Sequence, residues 1–167
     1  PGLDLASPPD VDPAYALPAD LSGFAATINS CGAMWAVKLP AYVEANDDAY
    51  GFACAEFGTY AGGSDQLVVR RASTQVIAAG ALAATANQIK LQTSRVQGTL
   101  FSGGALPTGY TATLSETRPL VAHGYYVDQA SEQDPAMPSL RRKQLDFVGG
   151  APAITDLEIV PGVEDLQ

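Results

Sequence analysis

The ten residues from Ser64 to Ser73 constrain the fold of this chain more than any other stretch. A Gly-Gly-Ser-Asp turn comes first, and the apolar, β-branched run that follows leads to two arginines, which is typical of a short strand. Alternation places Leu67 and Val69 on one face of this strand, and Val68 and Arg70 on the other. Because apolar residues occur on both faces, the pattern predicts an interior strand at the centre of a sheet.

The rest of the chain is rich in turn formers, with 16 Gly and 12 Pro among 167 residues. This composition favours many short elements over a helical bundle. A chain of this length fits one globular domain over residues 1–167, in which the Pro-rich residues 1–18 are expected to form an extended arm or linker.

Local patterns predict a β-rich succession of elements. The predicted elements are a helix at 20–28, strands at 33–40, 88–94, 96–101, 119–127, 140–147 and 154–160, a loop at 42–63, an irregular stretch at 78–86 and a further strand starting at 163. Trp35 is expected as a core anchor. In the strand at 88–94, alternation predicts Ile89 and Leu91 on the buried face, and Lys90 and Gln92 on the other.

The chain has two cysteines, Cys31 and Cys54. In an exported protein they would pair and close the loop between them, and low charge density with few lysines favours that alternative. The other alternative is two buried free thiols in a cytosolic protein. A metal site is not expected, because one distant histidine is the only other soft ligand.

Charge sets limits on partners. A net charge of −9 disfavours general attraction to nucleic acid or to anionic lipid. Local basic spots remain at Arg70-Arg71 and at Arg141-Arg142-Lys143. These basic residues could bind nucleic acid, or they could pair with the many carboxylates of the chain. We favour the interpretation that they form salt bridges at strand ends or contact a protein partner. Alternation puts the first two arginines on opposite faces of their strand.

Candidate groups for catalysis are few. His123 lies inside a predicted strand, where a structural histidine bonded to the backbone is favoured over an acid or base. No nucleophile elbow, zinc-protease helix or phosphate-binding glycine loop occurs in the sequence. Asp47-Asp48 would bind calcium with loop carbonyls, but their spacing differs from an EF-hand loop, which favours a solvated turn. We therefore expect neither an enzyme nor a cofactor.

Four blocks of the sequence, in this order, resemble the PilW family of type IV pilus minor pilins. The blocks are Ser64-Asp65-Gln66-Leu67-Val68-Val69-Arg70-Arg71-Ala72, His123-Gly124-Tyr125-Tyr126-Val127, Pro138-Ser139-Leu140-Arg141-Arg142-Lys143-Gln144-Leu145 and Val160-Pro161-Gly162-Val163-Glu164-Asp165-Leu166-Gln167. The resemblance therefore extends from Ser64 to the last residue. The region before it, including both cysteines, is compatible with the family but less diagnostic.

The resemblance implies an α+β, β-rich headgroup with mainly antiparallel sheet and little helix. It also implies a non-enzymatic subunit that primes pilus assembly and lies at the extracellular fibre tip, after a stage in the inner membrane and periplasm. Its implied partners are other minor pilins, a tip-associated adhesin-like protein and the major pilin below. The hydrophobic N-terminal helix of such pilins is missing from this sequence, so we interpret the chain as a trimmed headgroup.

Interface candidates follow from these patterns: Arg70, Arg71, Tyr126, Arg141, Arg142 and Lys143. Tyr125 and Tyr126 alternate between faces, so one is expected in the core and the other at a surface. Other functional classes stay open. They are a secreted β-sandwich that binds carbohydrate or another surface ligand, a minor pseudopilin of type II secretion, and a secreted hydrolase centred on His123.

Overall fold

The computed structural model describes residues 31, 35–39, 41–95 and 97–167. The predicted arm at 1–18 and the predicted helix at 20–28 lie outside these residues. The described residues contain seven strands: β1 (Val43–Asn46), β2 (Gln66–Ala72), β3 (Lys90–Ser94), β4 (Gly98–Phe101), β5 (Ser115–Asp128), β6 (Ser139–Val148) and β7 (Ala151–Pro161). Every pairing between them is antiparallel.

The chain divides into two units. The division passes through β5, between Pro119 and Leu120. In the larger unit the strands follow the order β1-β2-β5-β6-β7. The prediction of an interior strand at β2 is confirmed, since β2 lies between β1 and β5. The prediction that β2 is the centre of the sheet is wrong. That place belongs to β5, which has two strands on either side of it in this unit.

Aromatic rings fill the core of the larger unit. Phe52, Val68 and Tyr126 are buried together with Cys31, and Trp35 packs against them, as expected of a core anchor. The two cysteines form a disulfide, which confirms the predicted pairing. This bond links the segment before β1 to the loop that carries Phe52.

The smaller unit, described within Gln75–Pro119, has β3 between β4 and the first residues of β5. Its core contains Ile77, Leu82 and Phe101. The alanine-rich stretch predicted as irregular forms two single turns of 3-10 helix, at Ala79–Ala81 and Ala83–Thr85.

Within β3 the predicted faces are reversed, since Lys90 and Gln92 are fully buried and Leu91 is half-buried. Ile89, just before the strand, is 4% exposed and is thus buried as predicted. The Lys90 ammonium donates hydrogen bonds to the carbonyls of Thr85 and Gln88 and lies 5.1 Å from the centroid of the Phe101 ring. Burial is tolerated because the ammonium is satisfied by backbone carbonyls, which the alternation of residue types does not reveal.

The segment at 33–40, predicted as a strand, contains a 3-10 turn over Trp35–Val37 instead. A hydrogen-bonding partner explains the difference. The buried Arg70 side chain donates to the carbonyls of Trp35 and Ala41, so this backbone is satisfied without a neighbouring strand.

The region at 42–63 is mostly loop, as predicted, and also contains β1. The prediction of a strand starting at 163 is wrong, because residues 163–167 form no strand. Instead, Leu166 binds back to Ser64: its amide donates to Ser64 Oγ at 3.0 Å, and its carbonyl accepts from the Asp65 amide at 2.7 Å. The end of the chain is therefore fixed beside the start of β2.

The β-rich, antiparallel part of the fold prediction is confirmed. In the described part of the chain, helical structure is limited to short 3-10 segments, so the α component of an α+β fold is not seen there. None of the described helical segments has the length and apolar character needed to cross a membrane.

Candidate functional site

The four family-like blocks come together in the larger unit. Register pairs Val68 of β2 with Gly124 of β5, and Gly124 with Lys143 of β6. The last block closes the arrangement through the contacts of Leu166 with Ser64, which is only 2% exposed. Segments up to a hundred residues apart thus form one continuous structure.

A buried ionic cluster lies at the centre of this structure, on one face of β5, β6 and β7. Asp156 of β7 accepts hydrogen bonds from Arg141 Nε at 2.8 Å, from Lys143 Nζ at 2.6 Å and from the Tyr126 hydroxyl at 2.7 Å. Arg141 and Lys143 are almost completely buried. We call Tyr126, Arg141, Lys143 and Asp156 the Asp156 cluster.

The environment of Asp156 changes its titration. Burial raises the pKa of Asp156, but the hydrogen bonds from Lys143, Tyr126 and Arg141 outweigh burial, so the pKa lies below its ordinary value of 3.8. Burial and the neighbouring Asp156 carboxylate raise the pKa of the Tyr126 hydroxyl. The carboxylate is therefore charged and the phenol protonated at neutral pH.

The Asp156 cluster holds the loop that follows the disulfide. Lys143 Nζ donates to the Ala55 carbonyl at 2.8 Å, and the Phe57 amide donates to the Tyr126 hydroxyl at 3.0 Å. The Arg141 guanidinium carbon lies 3.8 Å from the centroid of the Phe57 ring, a cation–π contact. Thus the sheet fixes this loop through polar groups, although the core beside it is aromatic.

A second buried acid reinforces the loop. The Asp128 carboxylate, at the end of β5, accepts hydrogen bonds from the amides of Gly58 at 2.9 Å, Thr59 at 3.2 Å and Ala130 at 2.9 Å. A carboxylate bound by three backbone amides is well compensated for its burial.

The predicted interface residues divide between the two faces of the sheet. Arg70, Tyr126, Arg141 and Lys143 lie on the buried face, where the three cations pair with carboxylates of the chain. Arg70 Nη2 is 2.6 Å from Glu44 Oε2, and Arg141 also contacts Glu132 at 3.2 Å and Glu158 at 3.7 Å. Pairing within the chain, one of the alternatives, therefore holds for these three cations.

Arg71 and Arg142 lie on the opposite face. Arg71 is exposed and donates to the Ala72 carbonyl at 3.2 Å. Arg142 is half-buried, and its Nε atom is buried without a hydrogen-bond partner among the described residues. In register Arg142 stands between Tyr125 and Leu157, so its row across the sheet mixes aromatic, basic and apolar groups.

His123 lies on this second face. Its Nδ1 atom is 3.3 Å from the Tyr125 hydroxyl, and the two rings meet edge to face. Burial, with smaller effects from Arg142 and Arg71, lowers its pKa below the ordinary 6.5. The imidazole is therefore neutral at pH 7.

The acidic pair Asp47-Asp48 gains a third member, Asp65, which the sequence analysis did not include. Carboxylate oxygens of the three residues lie within 4.8 Å of one another, and the Asp48 amide donates to Asp65 Oδ1 at 3.2 Å. The strands β1 and β2 bring them together, since Asn46 at the end of β1 pairs with Gln66 at the start of β2. Exposed acids gather in this way without a metal in many proteins, so proximity alone does not define a calcium site.

A cavity of about 270 Å³ opens beside β1 and β2 in the larger unit. Its walls are formed by Trp35, Lys38, Glu44, Asn46, Gly51, Phe52, Gln66, Val68 and Arg70. Of these, the sequence analysis singled out Trp35 and Arg70, but not as neighbours.

Sequence reasoning also missed Asp156, Asp128 and Glu44, the acids that neutralise or bind the buried groups. A signal for Asp156 existed, because Asp156 and Glu158 are two residues apart in β7, as Arg141 and Lys143 are in β6. Opposite charges with the same period on neighbouring strands indicate cross-strand pairs.

Comparison of the chain with protein-family models, with curated proteins and with solved structures found no match.

Proposed function

We propose that this chain is the globular headgroup of a PilW-like minor pilin, which primes assembly of a type IV pilus and lies at its tip. The observation that carries the proposal is the convergence of the four family-like blocks. If the four segments resembled the family only by chance, they would have no reason to be neighbours in the fold. In the structure β2 pairs with β5, β5 pairs with β6, and Leu166 in the last segment binds Ser64 in the first. The blocks form one structural unit, as expected of the sheet of a single headgroup.

Subunit function requires a surface for neighbouring subunits, and β7 offers one. β7 has 11 residues and pairs with β6 alone among the described strands, so no described strand covers its other edge. Leu157, Ile159 and Val160 on this strand are 40%, 39% and 45% exposed. We call these three residues the β7 surface, and propose that other minor pilins bind there by adding a strand or by apolar contact.

The disulfide supports the proposed location. Disulfides persist in the periplasm and outside the cell, and they are rare in the cytosol. The bond between Cys31 and Cys54 is thus in keeping with a headgroup that is exported and then exposed on the fibre.

Basic residues have two roles in this proposal. Those on the buried face stabilise the headgroup itself, whereas Arg71 and Arg142 remain available as contacts with partners on the other face. The overall charge of −9 argues against nucleic acid as the main partner of this surface.

Co-purification of the full-length protein from its own cells tests the proposal. The expected result is that mass spectrometry identifies other minor pilins and a tip-associated adhesin-like protein in the purified complex. Recovery of type II secretion components instead would assign the chain to the pseudopilins. Recovery of neither set, from cells that assemble pili, would overturn the proposal.

A pair of leucine variants locates the contact. Leu157→Glu places a charge on the β7 surface, and we expect it to abolish co-purification with the other minor pilins. Leu114→Glu is the matched control, because Leu114 is 74% exposed and belongs to the smaller unit. Equal retention of partners by both variants would exclude the β7 surface as the contact.

A further inference from the structure

The cavity beside β1 and β2 has features of a ligand site that the proposed function does not require. Its volume of about 270 Å³ is just below the ~300–1,000 Å³ of sites for drug-sized ligands. It therefore suits a small molecule. Two aromatic rings form part of its wall, Trp35 and the buried Phe52, with centroids 5.1 Å apart.

Trp35 contributes its ring to the wall rather than its N–H group. Trp35 Nε1 is buried with almost no accessible surface, and no hydrogen-bond partner for it exists among the described residues. A ligand in the cavity would therefore contact the indole ring and not this donor.

The remaining polar groups offer both donors and acceptors close together. Gln66 Oε1 accepts from Asn46 Nδ2 at 3.3 Å and from the Gly51 amide at 2.5 Å, which fixes both amide side chains at the cavity wall. Glu44 is bridged by Lys38 at 2.5 Å and by Arg70 at 2.6 Å. An ammonium has three donor hydrogens and a carboxylate oxygen accepts more than one hydrogen bond, so these groups keep capacity after pairing.

Gly51 is needed for this arrangement. A Cβ atom at Gly51 would lie 2.1 Å from Asn46 Nδ2 and 3.2 Å from Gln66 Oε1. Any side chain there would displace the Asn46 amide from the wall, so the loop approaches the two amides only because residue 51 is glycine.

The chemistry of the wall narrows the ligand class. More of the wall is polar than apolar, which disfavours a lipid or another apolar ligand. The wall has two cations, Lys38 and Arg70, and one carboxylate, Glu44, which pairs with both. Arg70 is also bound to two backbone carbonyls. Although these three side chains carry a net positive charge, only Lys38 keeps exposed donors for a phosphate, and a phosphate there would lie against the Glu44 carboxylate.

We propose that this cavity binds a neutral saccharide, with one sugar ring against the Trp35 indole and its hydroxyl groups bonded to Asn46 and Glu44. Sugar hydroxyls both donate and accept, as the wall requires, and the apolar face of a sugar ring matches an aromatic side chain. The site lies apart from the β7 surface in sequence and in strand order, so it does not depend on binding of a pilin partner.

Trp35 makes the test direct, because it is the only tryptophan in the chain. The intact 167-residue protein is titrated with methyl glycosides of glucose, galactose, mannose and N-acetylglucosamine up to tens of millimolar while tryptophan fluorescence is recorded. We expect a saturable change in the emission of Trp35 with at least one of them. Glucuronic acid and inorganic phosphate are the charged probes, and binding of either in preference to every neutral glycoside would overturn the proposal.

Two asparagine variants separate the cavity from other sugar contacts. Asn46→Ala removes an exposed wall residue, and we expect at least a fivefold weaker response to the glycoside. Asn87→Ala, an exposed asparagine in the smaller unit, is the matched control and should titrate like the unmodified protein. Near-ultraviolet circular dichroism confirms that each variant is folded. No fluorescence change with any neutral glycoside, or an equal response in both variants, would overturn the assignment.

Discussion

Lys143 and Asp156 face each other across β6 and β7, and Lys143 Nζ lies 2.6 Å from Asp156 Oδ2. Because Lys143 is 3% exposed, its ammonium depends on this carboxylate and on the Ala55 carbonyl for the charge compensation that water would otherwise provide. The same carboxylate binds Arg141, which also contacts Glu132 and Glu158, whereas Lys143 has Asp156 as its one carboxylate among the described residues.

Removing the charge of Asp156 should therefore destabilise the protein strongly. Asp156→Asn keeps the shape of the side chain but leaves Arg141 and Lys143 without their shared anion. We expect the free energy of unfolding to fall by about 3 kcal/mol, as for other broken buried pairs. Urea denaturation followed by circular dichroism measures the change.

An exposed pair provides the control for this variant. Glu116 and Arg118 are 2.8 Å apart in the smaller unit, and Glu116 is well exposed. Glu116→Gln should cost less than about 1 kcal/mol, because solvent screens the pair. Similar losses in the two variants would contradict a special role for Asp156.

Acid should act through the same carboxylate. The pKa of Asp156 in the folded protein lies below its ordinary 3.8, so the folded state binds this proton less readily than the unfolded state. The stabilisation is complete above the ordinary pKa and is lost as pH falls through the lowered pKa. Thermal melts between pH 7 and pH 2 should show a smaller acid-dependent loss for Asp156→Asn than for the unmodified protein, and parallel curves would refute this.

Gly124 should be intolerant of any side chain. A Cβ atom there would lie 2.1 Å from Phe52 Cζ, inside the aromatic core. We expect Gly124→Ala to cost about 1–3 kcal/mol through overpacking. Gly80→Ala is the control, since nothing lies within 4 Å of its Cβ position, and it should leave the urea midpoint nearly unchanged. Partial rescue of Gly124→Ala by Phe52→Leu would identify the clash as the cause.

The disulfide should contribute substantially to stability. Cys31 and Cys54 are 23 residues apart, and closing a loop of this size restricts the unfolded chain by about 3 kcal/mol. Non-reducing mass spectrometry of freshly purified exported protein should detect no free thiol. The double variant Cys31→Ser/Cys54→Ser should unfold at lower urea concentration, and an unchanged midpoint would show that the bond stabilises little.

Most strands could be predicted because their residue types alternate or are strongly β-branched, as at β2 and β6. The predictions of strands and of buried faces failed at positions where a polar side chain is buried and bonded to backbone carbonyls. Lys90 is one, because its alternation with Ile89 and Leu91 defines two faces but not which of them is covered. Arg70 is another, because its buried side chain binds the carbonyls of Trp35 and Ala41, and the segment around Trp35 therefore needs no neighbouring strand.

The candidate site was less predictable than the fold. Arg141 and Lys143 were recognised as a basic cluster, but their burial follows from Asp156 on β7, and the matched two-residue spacing of opposite charges does not show that the pair is buried. The cavity beside β1 and β2 is likewise lined by residues from several segments between Trp35 and Arg70, whose proximity depends on the pairing of the two strands.

The sequence by itself determined the β-rich character, the cysteine pair, the β2 strand and the order of the four blocks, because these depend on local residue types and their spacing. Only the tertiary structure decided that β5 is central, that three of the basic residues are internal and that Trp35 lines a cavity. Burial and charge compensation depend on contacts between residues far apart in the chain, and local patterns carry no information about which distant groups will meet.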